Sequence, residues 1–156
     1  MPKRLYVLRT SPCFDNPLFD IFRDTLRRGL SLVLNVELNE KQWEPANLPV
    51  HMGGLGVRSA GMLASSAFLA SSAAMLSLQN AIISKSGEDD PAVKSAFIVW
   101  TEISQSTIPA NALKHVQKAW DSPMTASVYQ TLLVDPHNTP IDAAKLRAVA
   151  SEHARD

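Results

Sequence analysis

Catalysis needs acids, histidines, thiols or hydroxyls at spacings a fold can bring together, and such groups are sparse in this chain. Asp89-Asp90 is the only adjacent pair of aspartates, set between Gly87 and Pro91. Metal-dependent nucleotidyl transfer needs carboxylates held rigidly enough to bridge two divalent ions. No strand leads into this pair, and acids at a helix start ordinarily serve as cap and dipole partners. His51, His115, His137 and His153 are scattered, and Cys13 is the single cysteine. With no Cys-x-x-Cys and no histidine pair at i,i+4, neither a metal site nor a cofactor is expected. The serines form no Gly-x-Ser-x-Gly elbow and no Ser-x-x-Lys. Cys13 precedes a helix start, a place that can lower a thiol pKa. Without a placed histidine it reads as a small buried hydrophobe. No catalytic residue is assigned.

The glycine-rich stretch Gly53-Gly54-Leu55-Gly56-Val57-Arg58-Ser59 precedes a helical segment, and backbone amides at such a place can hold a phosphate. A dinucleotide fingerprint needs a third glycine where Ser59 stands, within a βαβ unit, and a Walker loop needs Gly-Lys-Ser/Thr. The favoured reading is a tight connector whose glycines permit positive φ and close packing.

The elements that position these groups read as helices. Leu5 to Thr10 is short and apolar and breaks at Ser11-Pro12, because a residue before proline is pushed out of the α region. Asp15 or Asn16 is expected to cap a helix with Pro17 in its first turn. Leu18, Ile21, Phe22, Leu26, Leu30 and Val33 give that helix its apolar face, with Arg23, Asp24, Arg27 and Arg28 opposite. Asp24 and Arg28 have the spacing of an i,i+4 ion pair. Asn39 caps a short turn through Trp43, and Pro45, Pro49, Gly53, Gly54 and Gly56 mark a structured loop.

Arg58 to about Ile83 is a helical stretch, kinked near Gly61, closed at Ser86-Gly87. Glu88-Asp89-Asp90-Pro91 starts a helix with Val93, Phe97, Trp100 and Ile103 on one stripe. Pro109 opens another, carrying Leu113, Val116, Gln117 and Trp120. Ser122-Pro123 breaks the chain before Val128, Leu132 and Leu133. After a loop from Pro136 to Pro140, Thr139-Pro140-Ile141-Asp142 begins a last helix with Leu146 and Val149. Nothing alternates at period two. The expected fold is all-α, an irregular bundle of six or seven helices with one Gly/Pro-rich loop, as a single domain over 1–156.

Bulk composition fits a globular chain: 46% apolar against 19% charged residues in 156, outside the range of disorder. Fifteen basic side chains balance fifteen acidic ones, so net charge selects no partner. One cysteine excludes an internal disulfide, and the N-terminus lacks a signal-peptide pattern; cytosol or nucleus is the expected compartment. Ser59 to Ser84 carries no charge and is long enough to span a bilayer, but it is built of Ala and Ser with few large aliphatics. A buried helix is expected there rather than a membrane span. In the first thirty residues Lys3, Arg4, Arg9, Arg23, Arg27 and Arg28 outnumber Asp15, Asp20 and Asp24, a pattern that suits a nucleic-acid backbone or a solvated face.

The stretch Trp43-Glu44-Pro45-Ala46-Asn47-Leu48-Pro49-Val50-His51-Met52-Gly53-Gly54-Leu55-Gly56-Val57-Arg58-Ser59-Ala60 resembles a segment of the reverse-transcriptase polyproteins of non-LTR retrotransposons. That segment lies after the polymerase palm, around and beyond the helical thumb. Its core here is Leu48, Pro49, Gly53, Gly54, Leu55, Gly56, Arg58 and Ser59. Ala67-Phe68-Leu69-Ala70-Ser71 continues the likeness. Leu8-Arg9-Thr10-Ser11-Pro12, Gln117-Lys118-Ala119-Trp120-Asp121 and Ser151-Glu152-His153-Ala154-Arg155-Asp156 are also similar to that family.

The family's polymerase motif, x-Asp-Asp on a palm hairpin, is missing, and Gly87-Glu88-Asp89-Asp90 lies downstream of the thumb-like segment. The resemblance therefore implies a truncated piece of a longer polyprotein, with no catalytic position to carry over. In such polymerases the thumb grips the primer–template duplex through its backbone. That implies sequence-independent contact with an RNA–DNA or DNA duplex through Arg9, Arg23, Arg27, Arg28 and Arg58, contacts that position a duplex without reading it. The alternative is an inert structural remnant or helical protein-interaction module. Its exposed former interdomain face would bind another chain or itself.

Overall fold

A computed structural model describes residues 2–83, 90–136 and 138–152. Among them are seven α-helices and no strand: α1 (Pro2–Thr10), α2 (Leu18–Leu34), α3 (Glu40–Ala46), α4 (Ala60–Ile83), α5 (Pro91–Ser104), α6 (Gln117–Val134) and α7 (Pro140–Glu152). The all-α fold expected from the missing period-two alternation is the fold observed. Contacts gather the chain in two compact units: Met1–Asn16 with Ala60–Met124, and Pro17–Ser59 with Thr125–Asp156.

The first unit is built on α4, which packs against α1 and α5. Ala64, Ser65, Ser66 and Ala67 are fully buried along it, and side chains this small let helices approach closely. By length and composition α4 could cross a membrane, with a mean hydropathy of 1.5 over Ala60–Ile82. In the fold its middle, Ala64 to Ala70, is buried. Phe68, Leu69 and Ala70 join Ala96, Trp100, Trp120 and Met124 in one core, with Phe14, Val93 and Phe97 half-buried against it. Both core tryptophans satisfy their indole N–H: Trp100 donates to the carbonyl of Trp120 at 3.0 Å, and Trp120 to that of Lys114 at 2.8 Å. Phe14 tilts against Phe68 with centroids 6.3 Å apart.

Asp90 caps α5 by accepting from the Ala92 amide at 2.8 Å, ahead of Pro91 in the first turn. The helix-closing Ser86-Gly87 and the acids Glu88-Asp89 lie outside the described residues, as do His137 and His153. The buried stripe of α5 is Ala96, Trp100 and Ser104. Ile103, expected on it, is exposed, because the core lies on the i,i+4,i+8 row.

Two expected breaks fall differently. Pro109 opens no α-helix; a 3-10 turn covers Asn111–Leu113, and α6 begins only at Gln117. The Lys114 carbonyl, which an α-helix through this segment would use, instead accepts the Trp120 indole. Ser122-Pro123 does not interrupt α6, which contains Pro123. Proline in a helix forfeits one hydrogen bond and costs about 3 kcal/mol. Burial of Trp120 and Met124 on adjacent turns outweighs it. The Ser122 hydroxyl donates back to the Lys118 carbonyl at 2.8 Å, a bond that accommodates a bend.

In the second unit α3 begins at a reciprocal capping box. The Gln42 amide donates to Asn39 Oδ1 at 3.0 Å, and the Asn39 amide to Gln42 Oε1 at 3.1 Å. Trp43 and Ala46 on α3 and Leu48 beyond it are buried, as are Leu132 on α6 and Ala143 on α7. Thr139 and Asp142 form a second reciprocal cap: the Thr139 hydroxyl donates to Asp142 Oδ2 at 2.6 Å, and the Asp142 amide returns to Thr139 Oγ1 at 3.2 Å. Helix α7 packs on a 3-10 turn at Val50–Met52. Helix α2 departs from expectation at its start. Its cap position is Pro17, with no side-chain cap bond, one residue beyond the expected Asn16.

Candidate functional site

Helix α2 holds three of the five arginines expected to grip a nucleic-acid backbone. Arg23 lies 3.5 Å from Asp20 Oδ1 and 3.6 Å from Asp24 Oδ1. Arg27 lies 3.8 Å from Asp24 Oδ1 and hydrogen-bonds Glu40 at the start of α3. The expected pair between Asp24 and Arg28 is absent: the Asp24 carboxylate is taken by Arg23 and Arg27, and Arg28 makes no ion pair among the described residues. Such exposed pairs contribute only about 0–1 kcal/mol each. They nevertheless neutralise the surface, since Asp20, Asp24 and Glu40 stand against Arg23, Arg27 and Arg28.

Arg9 and Arg58 are separate from this group. Arg9 lies in the first unit, where its Nη2 donates to Gln117 Oε1 at 2.8 Å. Arg58, at the end of the glycine loop, belongs to the second unit and also has an interaction partner.

The loop of Leu48, Pro49, Gly53, Gly54, Leu55, Gly56, Arg58 and Ser59 is a self-bonded connector. Its amides are bonded to carbonyls of the loop and of the last residue of α3: Met52 and Gly54 donate to Pro49, Gly53 to Val50, Leu55 and Val57 to Ala46, and Gly56 to Leu48, all at 2.9–3.2 Å. Six consecutive amides, Met52 to Val57, are thus committed and not open to a phosphate. Gly53 and Gly56 take positive φ, 85° and 68°. At Gly54 the reason is contact, because a Cβ there would lie 2.0 Å from the Leu48 carbonyl oxygen. The connector reading of the glycines accounts for all of this.

Burial pushes the Cys13 thiol up, opposed in part by its backbone hydrogen bond. Cys13, read as a small buried hydrophobe, is half-buried. His51 and His115 are exposed, and no group of three or more metal-ligating side chains forms among the described residues. Asp142 is held below the usual carboxylate range by the Thr139 hydroxyl, then by the Thr139 amide; it is a cap.

The surface that remains is apolar. Half of the α2 face assigned to the core lies outside it. On that face Leu18 is 62% exposed, Ile21 63% and Val33 82%, while Phe22, Leu26 and Leu30 are half-buried; Leu32, beside it, is 83% exposed. No residue of α2 is fully buried. Leu18, Ile21, Thr25, Gly29 and Leu32 follow one helical row. The Thr25 hydroxyl donates back to the Ile21 carbonyl at 2.8 Å, and a Cβ at Gly29 would meet nothing within 4 Å. The row is a ridge with apolar side chains at both ends, Leu18 and Ile21 and then Leu32, around a shallow centre of Thr25 and Gly29. Periodicity found these side chains but could not tell burial from exposure.

In comparisons with known proteins, no family model, no curated protein and no solved structure matches the chain.

Proposed function

We propose that this chain is a non-catalytic helical interaction module that self-associates through the exposed apolar ridge of α2. The observation that carries the reading is the four large aliphatic side chains Leu18, Ile21, Leu32 and Val33, all more than 60% exposed on one amphipathic helix. A contiguous exposed apolar surface is characteristic of an interaction site.

The charges name the occupant. Along α2 the half before Thr25 carries Asp20, Arg23 and Asp24, net −1, and the half after it carries Arg27 and Arg28, net +2. Two copies laid antiparallel about Thr25 set the acidic half of one helix against the basic half of the other. A parallel arrangement sets like against like. A two-fold interface of this kind is self-complementary, and the open centre at Gly29 lets the two backbones come close.

Light scattering on a size-exclusion column, over a concentration series, tests the reading. Wild type is expected to shift from monomer to dimer, and Ile21→Glu and Leu32→Glu to remain monomeric while still folded. A folded wild type that stays monomeric up to millimolar concentration overturns it.

The duplex-binding reading implied by the reverse-transcriptase resemblance has less support, since Arg23 and Arg27 are engaged by acids. It makes a different prediction: salt-dependent binding of a labelled RNA–DNA primer–template, lost in Arg23→Ala/Arg27→Ala/Arg28→Ala. Such binding with no dimer would reverse the preference.

A further inference from the structure

The first unit contains a cavity of about 290 Å³ beside its aromatic core. Helical spacing builds two of its walls. Leu69 and Leu76 stand two turns apart on α4, and Val93 and Phe97 one turn apart on α5. Trp120 supplies an aromatic wall, and the half-exposed Ile108 adds an aliphatic edge from the segment between α5 and α6. The Trp120 indole N–H is already donated to the Lys114 carbonyl, so this residue offers the space a ring and not a donor. Lys94 and Lys114 also border the cavity. Side chains of this kind cover apolar surface with their stems while the ammonium stays in water. Such walls select a ligand by shape and apolar area.

The ring ladder of the core narrows the class. Phe97 stacks on Trp100 with centroids 6.2 Å apart, and Trp100 meets Trp120 edge to face at 5.0 Å. Trp100 is wholly buried, while Phe97 and Trp120, the two ends of the ladder, line the cavity. An aromatic pair gains about a factor of 2–10 in affinity beyond area burial alone. An apolar cavity of roughly 150 Å³ takes up benzene, so this one has room for a second fused ring.

We propose that this cavity binds a small neutral aromatic molecule of two fused rings, held between Phe97 and Trp120 and against Leu69 and Val93. These residues lie in one compact unit, so the site is independent of the α2 ridge and of whether the chain dimerises.

The probe is 1-fluoronaphthalene at a fixed, dilute concentration, followed by fluorine NMR as protein is added. 1-Fluorooctane is the aliphatic control. The naphthalene is expected to bind with a dissociation constant on the order of 0.1 mM, the range accessible to about ten non-hydrogen atoms. 1-Fluorooctane should bind about 2–10-fold more weakly. Ala73→Leu adds carbon to the α4 wall of the cavity. It should weaken the naphthalene at least roughly tenfold without lowering the thermal midpoint. Ile108→Asp, at a half-exposed position, sets a charge at the edge of the same space and should have the same effect on binding. Equal or tighter binding of 1-fluorooctane overturns the aromatic assignment. Unchanged naphthalene binding in both variants, or no binding by the folded wild-type chain at about ten times the expected constant, overturns the site.

Discussion

The indole N–H of Trp100 donates to the backbone carbonyl of Trp120 at 3.0 Å while the two rings meet edge to face, their centroids 5.0 Å apart. One residue thus ties α5 to the first turn of α6 by a directed bond and an aromatic contact together. Trp100→Ala should cost about 3–5 kcal/mol through the lost burial. Trp100→Phe keeps most of the ring but removes the indole donor, at about 0.5–1.5 kcal/mol. Urea unfolding followed by circular dichroism measures both. A phenylalanine variant as stable as wild type would mean the bond contributes nothing.

Gly54 and Gly29 should respond to alanine in opposite directions. At Gly54 the added carbon meets the Leu48 carbonyl at 2.0 Å, so the backbone must move, and a loss on the order of 3 kcal/mol is expected. At Gly29 the carbon meets open space, and the higher helix propensity of alanine should add about 1 kcal/mol in dilute, monomeric protein. Thermal unfolding of the two variants at low concentration compares them directly.

The box at the start of α3 is a coupled pair. Asn39→Ala should cost about 1 kcal/mol. Because Asn39 and Gln42 cap each other reciprocally, the double variant with Gln42→Ala should cost less than the sum of the single ones. Strict additivity in a double-mutant cycle would show that the two bonds act separately.

The Thr139–Asp142 cap gives α7 a dependence on acid. The Asp142 carboxyl titrates below its ordinary value of 3.8, held down first by the Thr139 hydroxyl. A depressed folded pKa means that the cap's contribution is fully present above the ordinary value and is lost as pH falls through the folded one. Thr139→Val should raise the Asp142 pKa toward 3.8, visible in a carboxyl-carbon NMR titration. An unmoved titration would show that the hydroxyl is not what holds the charge.

Cys13 should be a slow thiol. Burial raises its pKa, so at neutral pH little thiolate is present to react. Alkylation by iodoacetamide should be slower in the native protein than in urea, and equal rates would refute the burial effect.

Much of the fold was legible because its signals are local. The Asn39 cap, the break after Thr10 and the Thr139 start need only neighbouring residues. So does the Gly/Pro-rich loop, whose Gly53 and Gly56 take the positive φ that such clusters imply. What escaped depends on partners far along the chain. Pro123 reads as a breaker until Trp120 and Met124 are seen to be buried around it. Leu18, Ile21 and Val33 fit a core face by period, yet nothing in the period says that the face remains uncovered. The cavity was invisible for the same reason: Leu69, Val93 and Trp120 converge only in three dimensions. Among the arginines, sequence gave their helix but not their occupation, because Glu40, which takes Arg27, comes from the next element.

The glycine loop carries one more consequence. By composition Pro49 to Gly56 ought to be the softest part of the chain, the first backbone to trade its protons with solvent. Yet each amide from Met52 to Val57 is bonded to a carbonyl of the loop or of the end of α3, so deuterium enters when the turn opens. In deuterated water these amides should exchange slowly and together, as one cooperative unit rather than six independent sites.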